Sequence, residues 1–375
     1  YKLERGRTST LAIMTPNEFG QVRYGVEMYS MKEEDFFKMQ CLNNKTMFGV
    51  FDGHGGKFVA RKCAEYDWGN EQSFEEIFWK LDETLGPQSL NSGTTASIMM
   101  IEHRKSNDFR ISLAWVGDSQ ILEIDMIAPV AGVTYLTSAH NCMNKAEITR
   151  IHNQWRARKF LEEMRLQTHV QNDLFQFGEL TQQTFAYEKK LESAYERIFS
   201  SHLRCESPLL QRQLSLLEKR KSHKNEDGAL ALHARWLQMP QSSIVHGAST
   251  CVTRSIGDWD ASRTLIPHPE IIERVVKRGN HKRFVIASDG LWGTLSLNKI
   301  AKLAYRNRDD PQKCATSILR HVRLECAQLN GVREHPFKDD TTIVIVDVIA
   351  APAPLNPQRA ECKSSVKWPW LCKLR

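Results

Sequence analysis

Acidic residues stand at the ends of apolar, strand-like runs that lie far apart along this chain. They are Asp52 after residues 47–51, Asp118 after residues 111–117, Asp289 after residues 284–288, and the pair Asp339 and Asp340 before residues 341–348. Strand ends are rigid, and side chains placed there can converge on one pole of a sheet. The chain is therefore predicted to bring strands from distant segments to a common end that carries carboxylates.

The strand signals also predict local pairing. Residues 36–42 and 47–51 are apolar runs separated by a polar segment of four residues, and we expect them to form a β-hairpin. Residues 111–116 and 121–124 flank the sequence Gly-Asp-Ser-Gln and are predicted to form a second hairpin.

Helix signals separate these blocks of strands. Ser73 and Glu76 have the spacing of a capping box, and Pro311 suits the first position of a helix that ends before Gly331. Another helix is predicted from about Ser296. Hairpins with helices between blocks of strands favour an α+β fold over a repeating βαβ sheet.

One large domain is predicted over residues 20–350, interrupted by a helical insertion over residues 154–243. The insertion has few strand signals and carries leucines at helical spacing. It is interpreted as a helical arm packed on the main domain, and a docking arm for a partner is the alternative. The tail, residues 351–375, begins with a Pro- and Ala-rich stretch, and we expect it to be disordered.

Composition excludes several classes of protein. The net charge is +7, but Lys and Arg are interleaved with Asp and Glu, which argues against a nucleic-acid-binding stripe. The nine cysteines include no Cys-x-x-Cys pair, so neither a disulfide framework nor a zinc site is predicted. No apolar run reaches the roughly 18 residues of a membrane span, and no signal-peptide core is present. A reducing compartment, the cytoplasm or the nucleus, is expected.

The segment 52–56, Asp-Gly-His-Gly-Gly, places several chemical groups directly after a strand. It supplies a carboxylate, an acid–base group in His54, and glycines that let the backbone approach a ligand. A single Asp-Gly pair is most often only a turn, and a single histidine is most often structural. The combination with the other aspartates at strand ends indicates hard divalent cations such as Mg²⁺ or Mn²⁺, which prefer oxygen ligands.

At this point the chain resembles the metal-dependent protein phosphatases, also called type 2C serine/threonine phosphatases. Seven blocks match that family in its own order. They are Val50–Gly56, Ser92–Ala96, Val116–Ser119, Leu136–His140, Thr253–Asp258, Ala287–Trp292 and Asp339–Thr342.

The resemblance implies a central antiparallel β-sandwich flanked by helices, with the metal ions at one end. It implies a hydrolase that removes phosphate from phosphoserine and phosphothreonine in proteins by a metal-activated water, and phosphorylated proteins are then the partners. Two Mg²⁺ or Mn²⁺ ions are expected as cofactors, with a third, weaker ion beside them.

The resemblance also implies a set of metal ligands. Asp52 would bridge the two ions, and the Gly53 carbonyl would bind one of them. Asp289 and Asp339 would hold the first ion, and Glu34 would support the second.

Three further residues are implied to assist. Asp35 would act on the metals through a water molecule. Asp118, together with Asp289, would favour the third ion. His54 would be the general acid that protonates the leaving seryl or threonyl oxygen.

The residue that grips the phosphate is left unassigned. Aligning Glu34 and Asp35 with the family motif puts Ser30 where an arginine usually stands, and Arg23 or Lys32 are the candidate substitutes. A competing alignment over residues 23–28 keeps the arginine but loses the aspartate. The first alignment is preferred because it leads straight into the strand that pairs with residues 47–51.

Two more departures from the family pattern are Ala139, in place of the aspartate of an Asp-His pair, and Gly293, where many members are acidic. They keep open an alternative function: a weakly active or inactive phosphatase-like domain that binds partners through the insertion. A metal hydrolase acting on small phosphoesters is a third interpretation.

Overall fold

The computed structural model describes most of the domain predicted from the sequence. The described residues are 7–13, 20–42, 44–69, 72–89, 92–104, 108–127, 132–141, 143–153, 250, 252–259, 265–330, 337 and 339–350. The predicted insertion, 154–243, and the predicted tail, 351–375, lie outside them.

Two antiparallel sheets form the centre of the molecule. The first contains, in spatial order, β1 (Arg7–Ile13), β2 (Gly20–Tyr29), β13 (Thr341–Ala350), β12 (His281–Ala287), β8 (Gln120–Asp125) and β9 (Val133–Tyr135). The second contains β10 (Ile256–Gly257), β5 (Gly93–Thr94), β4 (Lys45–His54), β6 (Ala96–His103), β7 (Phe109–Val116) and β11 (Glu270–Val276), and β3 (Asp35–Leu42) pairs with β4.

Helices cover the outer face of each sheet. On the second sheet lie α1 (Phe58–Glu65) and α2 (Phe74–Leu85). On the first sheet lie the short α3 (Asp289–Trp292), α4 (Leu297–Arg306) and α5 (Pro311–Asn330). Residues 145–153 are also helical.

Strand β13 explains why the chain builds layers on both sides of this sheet. Val344, Val346 and Val348 face the core between the two sheets. Ile343 and Ile345 face α4 and α5 instead. Because successive side chains of a strand point to opposite faces, a strand buried on both faces reads as a nearly continuous apolar run, as residues 343–350 do apart from Asp347.

The predicted α+β sandwich flanked by helices is confirmed. The first predicted hairpin is present as β3 and β4, with Asp35 opposite Asp52 in the register. The predicted capping box is present at the start of α2, where the side chains and backbone of Ser73 and Glu76 bond reciprocally. The predicted helix after Ser296 and the helix from Pro311 are α4 and α5.

The second predicted hairpin is wrong. Strand β7 pairs with β6 and β11 in one sheet, whereas β8 pairs with β12 and β9 in the other. The segment between them crosses from sheet to sheet, and Gly117 turns the chain there with a φ of +90° that other residues rarely adopt. The crossing leaves Asp118 at the end of the sandwich.

Sequence analysis did not predict β1, β9, β10 or β11, and it treated part of β2 only as a competing alignment. Strand β1 pairs along its full length with β2. Within the described residues, no helix is long and apolar enough to cross a lipid bilayer.

Helix α5 approaches β2 closely at Gly25. A Cβ atom built on Gly25 would lie 2.4 Å from the backbone N and Cα of Gln312, near the start of α5. The Gln312 side chain in turn accepts from the Val26 N–H at 2.9 Å and donates to the Val26 carbonyl at 3.1 Å. The helix is thereby docked on the sheet through backbone contact.

We expect Gly25→Ala to lower the free energy of unfolding by about 1–3 kcal/mol, because the helix must move to admit the methyl group. Urea unfolding measures the loss of stability, and amide exchange of residues 312–328 measures the movement of the helix. Gly279→Ala is the control, since its Cβ meets open space and the cost comes only from its φ of +78°. Faster exchange in α5 should appear in Gly25→Ala alone, and equal exchange in the two variants would contradict this account.

Candidate metal centre and acid–base pair

Five of the predicted aspartates meet at one end of the sandwich. Their places follow from strand register. Asp35 lies opposite Asp52. Asp289 comes two residues after Ala287, which pairs with Ile343 and Gln120. Asp339 comes two residues before Thr341, which pairs with Tyr29. The crossing between the sheets adds Asp118. Strands from both sheets therefore contribute carboxylates to the same pole.

The five carboxylates affect one another electrostatically. The pKa of Asp52 is raised well above its ordinary value, first by burial and then by the carboxylates of Asp35, Asp289, Asp118 and Asp339. Each ionised neighbour makes a further negative charge on Asp52 more costly. The cluster therefore repels itself.

Two members of the cluster have pKa values near neutrality. Burial, opposed by hydrogen bonds such as that from Ser288 Oγ at 2.7 Å, raises the pKa of Asp35 to about 7. Enclosure by the surrounding protein and then the charges of Asp118 and Asp339 raise the pKa of Asp289 to about 7. Asp289 still reaches solvent, so the cluster is open to ions.

Glu34 is tied to the same pole by three contacts. Its carbonyl accepts from the Gly53 N–H at 3.2 Å, and its Oε1 accepts from the Gly56 N–H at 2.8 Å. Its own N–H donates to Asp340 Oδ2 at 2.8 Å. The loop before β3 is therefore joined to the segment that carries Asp52 and His54.

Asp340, which sequence analysis assigned no role, organises that loop. Its carboxylate accepts from the backbone N–H groups of Met31, Lys32, Glu34 and Asp35. Burial alone would raise the pKa of Asp340, but these donors outweigh burial and lower it. Asp340 is only 2% exposed. Its buried negative charge fixes the backbone of residues 30–35 through these hydrogen bonds.

Neither Ser30 nor Arg23 is placed like an arginine that grips phosphate. Ser30 Oγ donates to Asp340 Oδ2 at 3.2 Å. Arg23 donates to Asp347 Oδ2 at 3.0 Å and to the Asp309 carbonyl, away from the cluster. Glu27, which the competing alignment would make a ligand, accepts from Gln312 and Thr316 of α5. The structure thus brings Glu34 and not Glu27 to the cluster.

His54 forms a close pair with Asp258. Its Nε2 lies 2.6 Å from Asp258 Oδ2 and 3.3 Å from Thr250 Oγ1. Burial lowers the pKa of His54, but the charge of Asp258 outweighs burial, so the pKa is raised above its ordinary value. The imidazole is 29% exposed and Asp258 only 1%, so the acid–base group faces the cleft and its partner lies behind it.

Asp258 is held in a fixed position by its surroundings. It has a φ of +56°, and Ser255 Oγ donates to its Oδ2 at 2.6 Å. A Cβ atom on Gly93 would lie 2.2 Å from its carboxyl group, so only glycine fits there. Asp82 of α2 accepts from the Gly257 N–H at 2.6 Å and from Trp259 Nε1 at 3.0 Å.

A buried ion network supports the same segment from the other side. Glu147 accepts through Oε1 from Arg254, and through Oε2 from Arg150 and Thr253. Burial alone would raise the pKa of Glu147, but the two arginines hold it well below its usual range. His140 and Glu270 lie near Glu147 and could complete a metal site by spacing alone. The Glu147 oxygens are already committed to arginines, so this group is a structural network.

Two segments of the chain match a family description. A family description for "Protein phosphatase 2C" matches residues 15–156 and 245–329, more than half of the chain. The chain belongs to the protein phosphatase 2C family.

Curated members of the family are similar over a limited stretch. A probable protein phosphatase 2C 33 of Oryza sativa subsp. japonica is 34% identical over 119 residues, which is 30% of this chain and 24% of that protein. A probable protein phosphatase 2C 5 of Arabidopsis thaliana is 31% identical over 114 residues, or 29% and 24% of the two chains. The matched stretch thus spans about a quarter of the length of these relatives.

Solved structures of two phosphatases share the fold. A serine-threonine phosphatase 2C from Toxoplasma gondii superposes with a TM-score of 0.51 at 14% identity, over 91% of this chain and 99% of that one. A phosphatase from a pathogenic strain of Toxoplasma gondii gives a TM-score of 0.55 at 12% identity, over 92% and 96%.

The donor set of this phosphatase 2C domain fits hard divalent cations. The converging groups are carboxylates, and Asp35 Oδ1 is buried without a hydrogen-bond donor among the described residues. Crowded carboxylates and an acceptor without a donor are both relieved by a bound cation. The roles assigned to the individual ligands from the family resemblance stay predictions.

Sequence analysis quoted Asp258 and Asp340 within family blocks but gave neither a role. Asp258 directly follows β10 and Asp340 directly precedes β13, so both stand at strand ends, as the other aspartates do. Their partners, His54 and the backbone of residues 30–35, are about 200 or more residues distant and are visible only in three dimensions.

Because the cluster repels itself, we expect Asp289→Asn to raise the free energy of unfolding in EDTA by about 1 kcal/mol, a modest value because Asp289 reaches solvent. Mn²⁺ should raise the melting temperature of the wild type by a few degrees and that of Asp289→Asn much less. Differential scanning calorimetry measures both.

Asp310→Asn is the matched control. Asp310 stands just before α5, as Asp289 stands at the start of α3. It accepts from the Lys313 N–H at 2.9 Å, a bond that asparagine can keep. Asp310→Asn should neither raise the free energy of unfolding in EDTA nor reduce the response to Mn²⁺. If Mn²⁺ does not change the melting temperature of the wild type, the metal assignment is wrong.

Proposed function

We propose that this chain is an active, metal-dependent phosphatase of phosphoserine and phosphothreonine in proteins. The observation that carries the proposal is the carboxylate cluster with the His54–Asp258 pair beside it. An acid–base group with a buried carboxylate behind it has no evident use in a domain that only binds. The test is release of phosphate from a phosphothreonine peptide with and without Mn²⁺.

The proposed ligands are those implied by the family resemblance. Asp52 and the Gly53 carbonyl, Asp289, Asp339 and Glu34 would hold two Mg²⁺ or Mn²⁺ ions, and Asp118 would contribute to a third, weaker site. Asp35 would act through a water molecule. When bound, the ions supply a water of lowered pKa as the nucleophile and neutralise the phosphoryl oxygens.

The chain's own contribution to the reaction is a proton. Asp258 engages His54 at Nε2, and no described residue hydrogen-bonds Nδ1, so Nδ1 is the nitrogen that can give a proton to the leaving oxygen. Asp258 stabilises the charged imidazole before transfer and fixes the ring plane. A general acid placed in this way contributes roughly 10²–10⁴ in rate.

The alternative, a weakly active domain that docks partners through the insertion, rests on residues outside the described ones. The docking role and the insertion's boundaries therefore remain predictions, as does residence in the cytoplasm or nucleus. Hydrolysis of small phosphoesters is the second enzymatic candidate, and comparison of a phosphopeptide with an aryl phosphate separates the two.

We expect phosphopeptide hydrolysis to need Mg²⁺ or Mn²⁺ and to stop in EDTA. Asp52→Asn and Asp339→Asn should each lower kcat by at least about 10²-fold, because each removes a carboxylate on which the charge balance of the cluster depends. Steady-state kinetics over a range of Mn²⁺ concentrations measures this. Full activity in EDTA would exclude the proposed chemistry.

The His54–Asp258 pair makes a prediction about leaving groups. Both His54→Gln and Asp258→Asn should slow a phosphothreonine peptide about 10²-fold or more, and p-nitrophenyl phosphate far less, because nitrophenolate leaves without a proton. Equal losses on both substrates would show that the pair only shapes the site. Circular dichroism checks that Asp258→Asn, a buried substitution, remains folded.

A further inference from the structure

Lys32 brings a positive charge to the edge of the carboxylate cluster. Its Nζ lies 2.8 Å from Asp339 Oδ1, and both side chains are close to half-exposed, at 46% and 40%. Asp289 also feels the charge of Lys32. The ammonium group is thus at the open side of the cluster, where a ligand from solvent would arrive.

The backbone of Lys32 is fixed, and its side chain extends from it toward solvent. The Lys32 N–H donates to Asp340 Oδ1 at 2.8 Å, and the N–H groups of Met31 and Glu34 donate to the same carboxylate. Four methylene groups then carry the ammonium from a rigid base. Such a side chain can exchange one anionic partner for another at little cost.

Four other cations among the described residues already have partners outside the cluster. Arg23 is bound to Asp347, and Lys57 Nζ lies 2.6 Å from Glu33 on the opposite side of the loop. Arg150 and Arg254 are bound to Glu147. Among these described residues, Lys32 is the one whose partner, Asp339, belongs to the cluster itself.

We propose that Lys32 binds the phosphate group of the substrate, in place of the arginine that Ser30 replaces. This inference rests on the proposed function and deepens it. The ligand is a phosphomonoester dianion, and inorganic phosphate shares its chemistry. Once Asp339 neutralises a cation, its hold on the ammonium weakens, and the phosphate is the anion that Lys32 meets next.

The consequence is that Lys32 binds phosphate weakly and does not fix its orientation. A lysine ammonium is a point charge, whereas a guanidinium forms two parallel bonds to phosphate oxygens. The wild type should therefore bind phosphate less tightly than a variant that carries an arginine at either position.

The decisive experiment compares Lys32→Met with Lys57→Met in the presence of saturating Mn²⁺. Both remove one positive charge from the same pole, and methionine keeps most of the length of the side chain. Calorimetric titration with inorganic phosphate gives affinity without turnover, and KM for a phosphothreonine peptide gives the same contact in substrate. Lys32→Met should weaken both about tenfold, and Lys57→Met should change neither.

A rescue variant separates loss of a contact from loss of structure. Ser30→Arg added to Lys32→Met should recover phosphate affinity to the wild-type level or better, because the guanidinium supplies the missing charge. Lys32→Arg should bind phosphate at least as tightly as the wild type.

Each result has a defined meaning. The inference is overturned if Lys32→Met leaves phosphate affinity and KM unchanged, or only tightens Mn²⁺ binding, since Lys32 would then be a counter-ion of the cluster. It is also overturned if Lys32→Met unfolds and Lys32→Arg loses phosphate affinity. If the wild type binds phosphate through Lys32 but hydrolyses no phosphopeptide, the proposed function fails and this contact stands.

Discussion

Repulsion among carboxylates is the constraint around which this domain is built. Asp35, Asp52, Asp118, Asp289 and Asp339 come from both sheets and are held at one pole, at a cost to the folded state. The sandwich is rigid enough to hold these groups together. Its strands pack on the core between the sheets and, on the outer faces, against the helices. The fold holds in place an arrangement that the charges alone would disperse.

The positions of the acid–base groups depend on contacts with residues far from them in sequence. Asp258 is confined by Gly93, and its segment is held by Asp82 on one side and by the Glu147 network on the other. These supports come from α2, from β5 and from the helical residues 145–153. A substitution in any of these supports would shift Asp258 and so alter the position and pKa of His54, although it does not contact the imidazole. The site is thus larger than the residues that meet a substrate.

The sequence predicts the local features of this domain well, because they depend on neighbours along the chain. The capping box at Ser73, the helix from Pro311 and the hairpin of β3 and β4 all follow from residues within a few positions of one another. The supposed hairpin around Asp118 fails because its two strands find better partners in different sheets, a choice made by distant residues. Asp52, Asp118, Asp289 and Asp339 were recognisable because each stands at one end of an apolar run. The pairing of His54 with Asp258 was not, because no local pattern joins residues so far apart.

Asp340 holds residues 30–35 almost entirely through their backbone N–H groups. A loop fixed in this way keeps its path whatever side chains it bears, provided that the residue at position 33 tolerates a φ of +62°. The side chains of residues 30–32 can therefore change without moving the loop. Within such a loop a positive charge can stand at position 30 or at position 32 while the sandwich stays the same. Affinity for the substrate can then change without a change in folding.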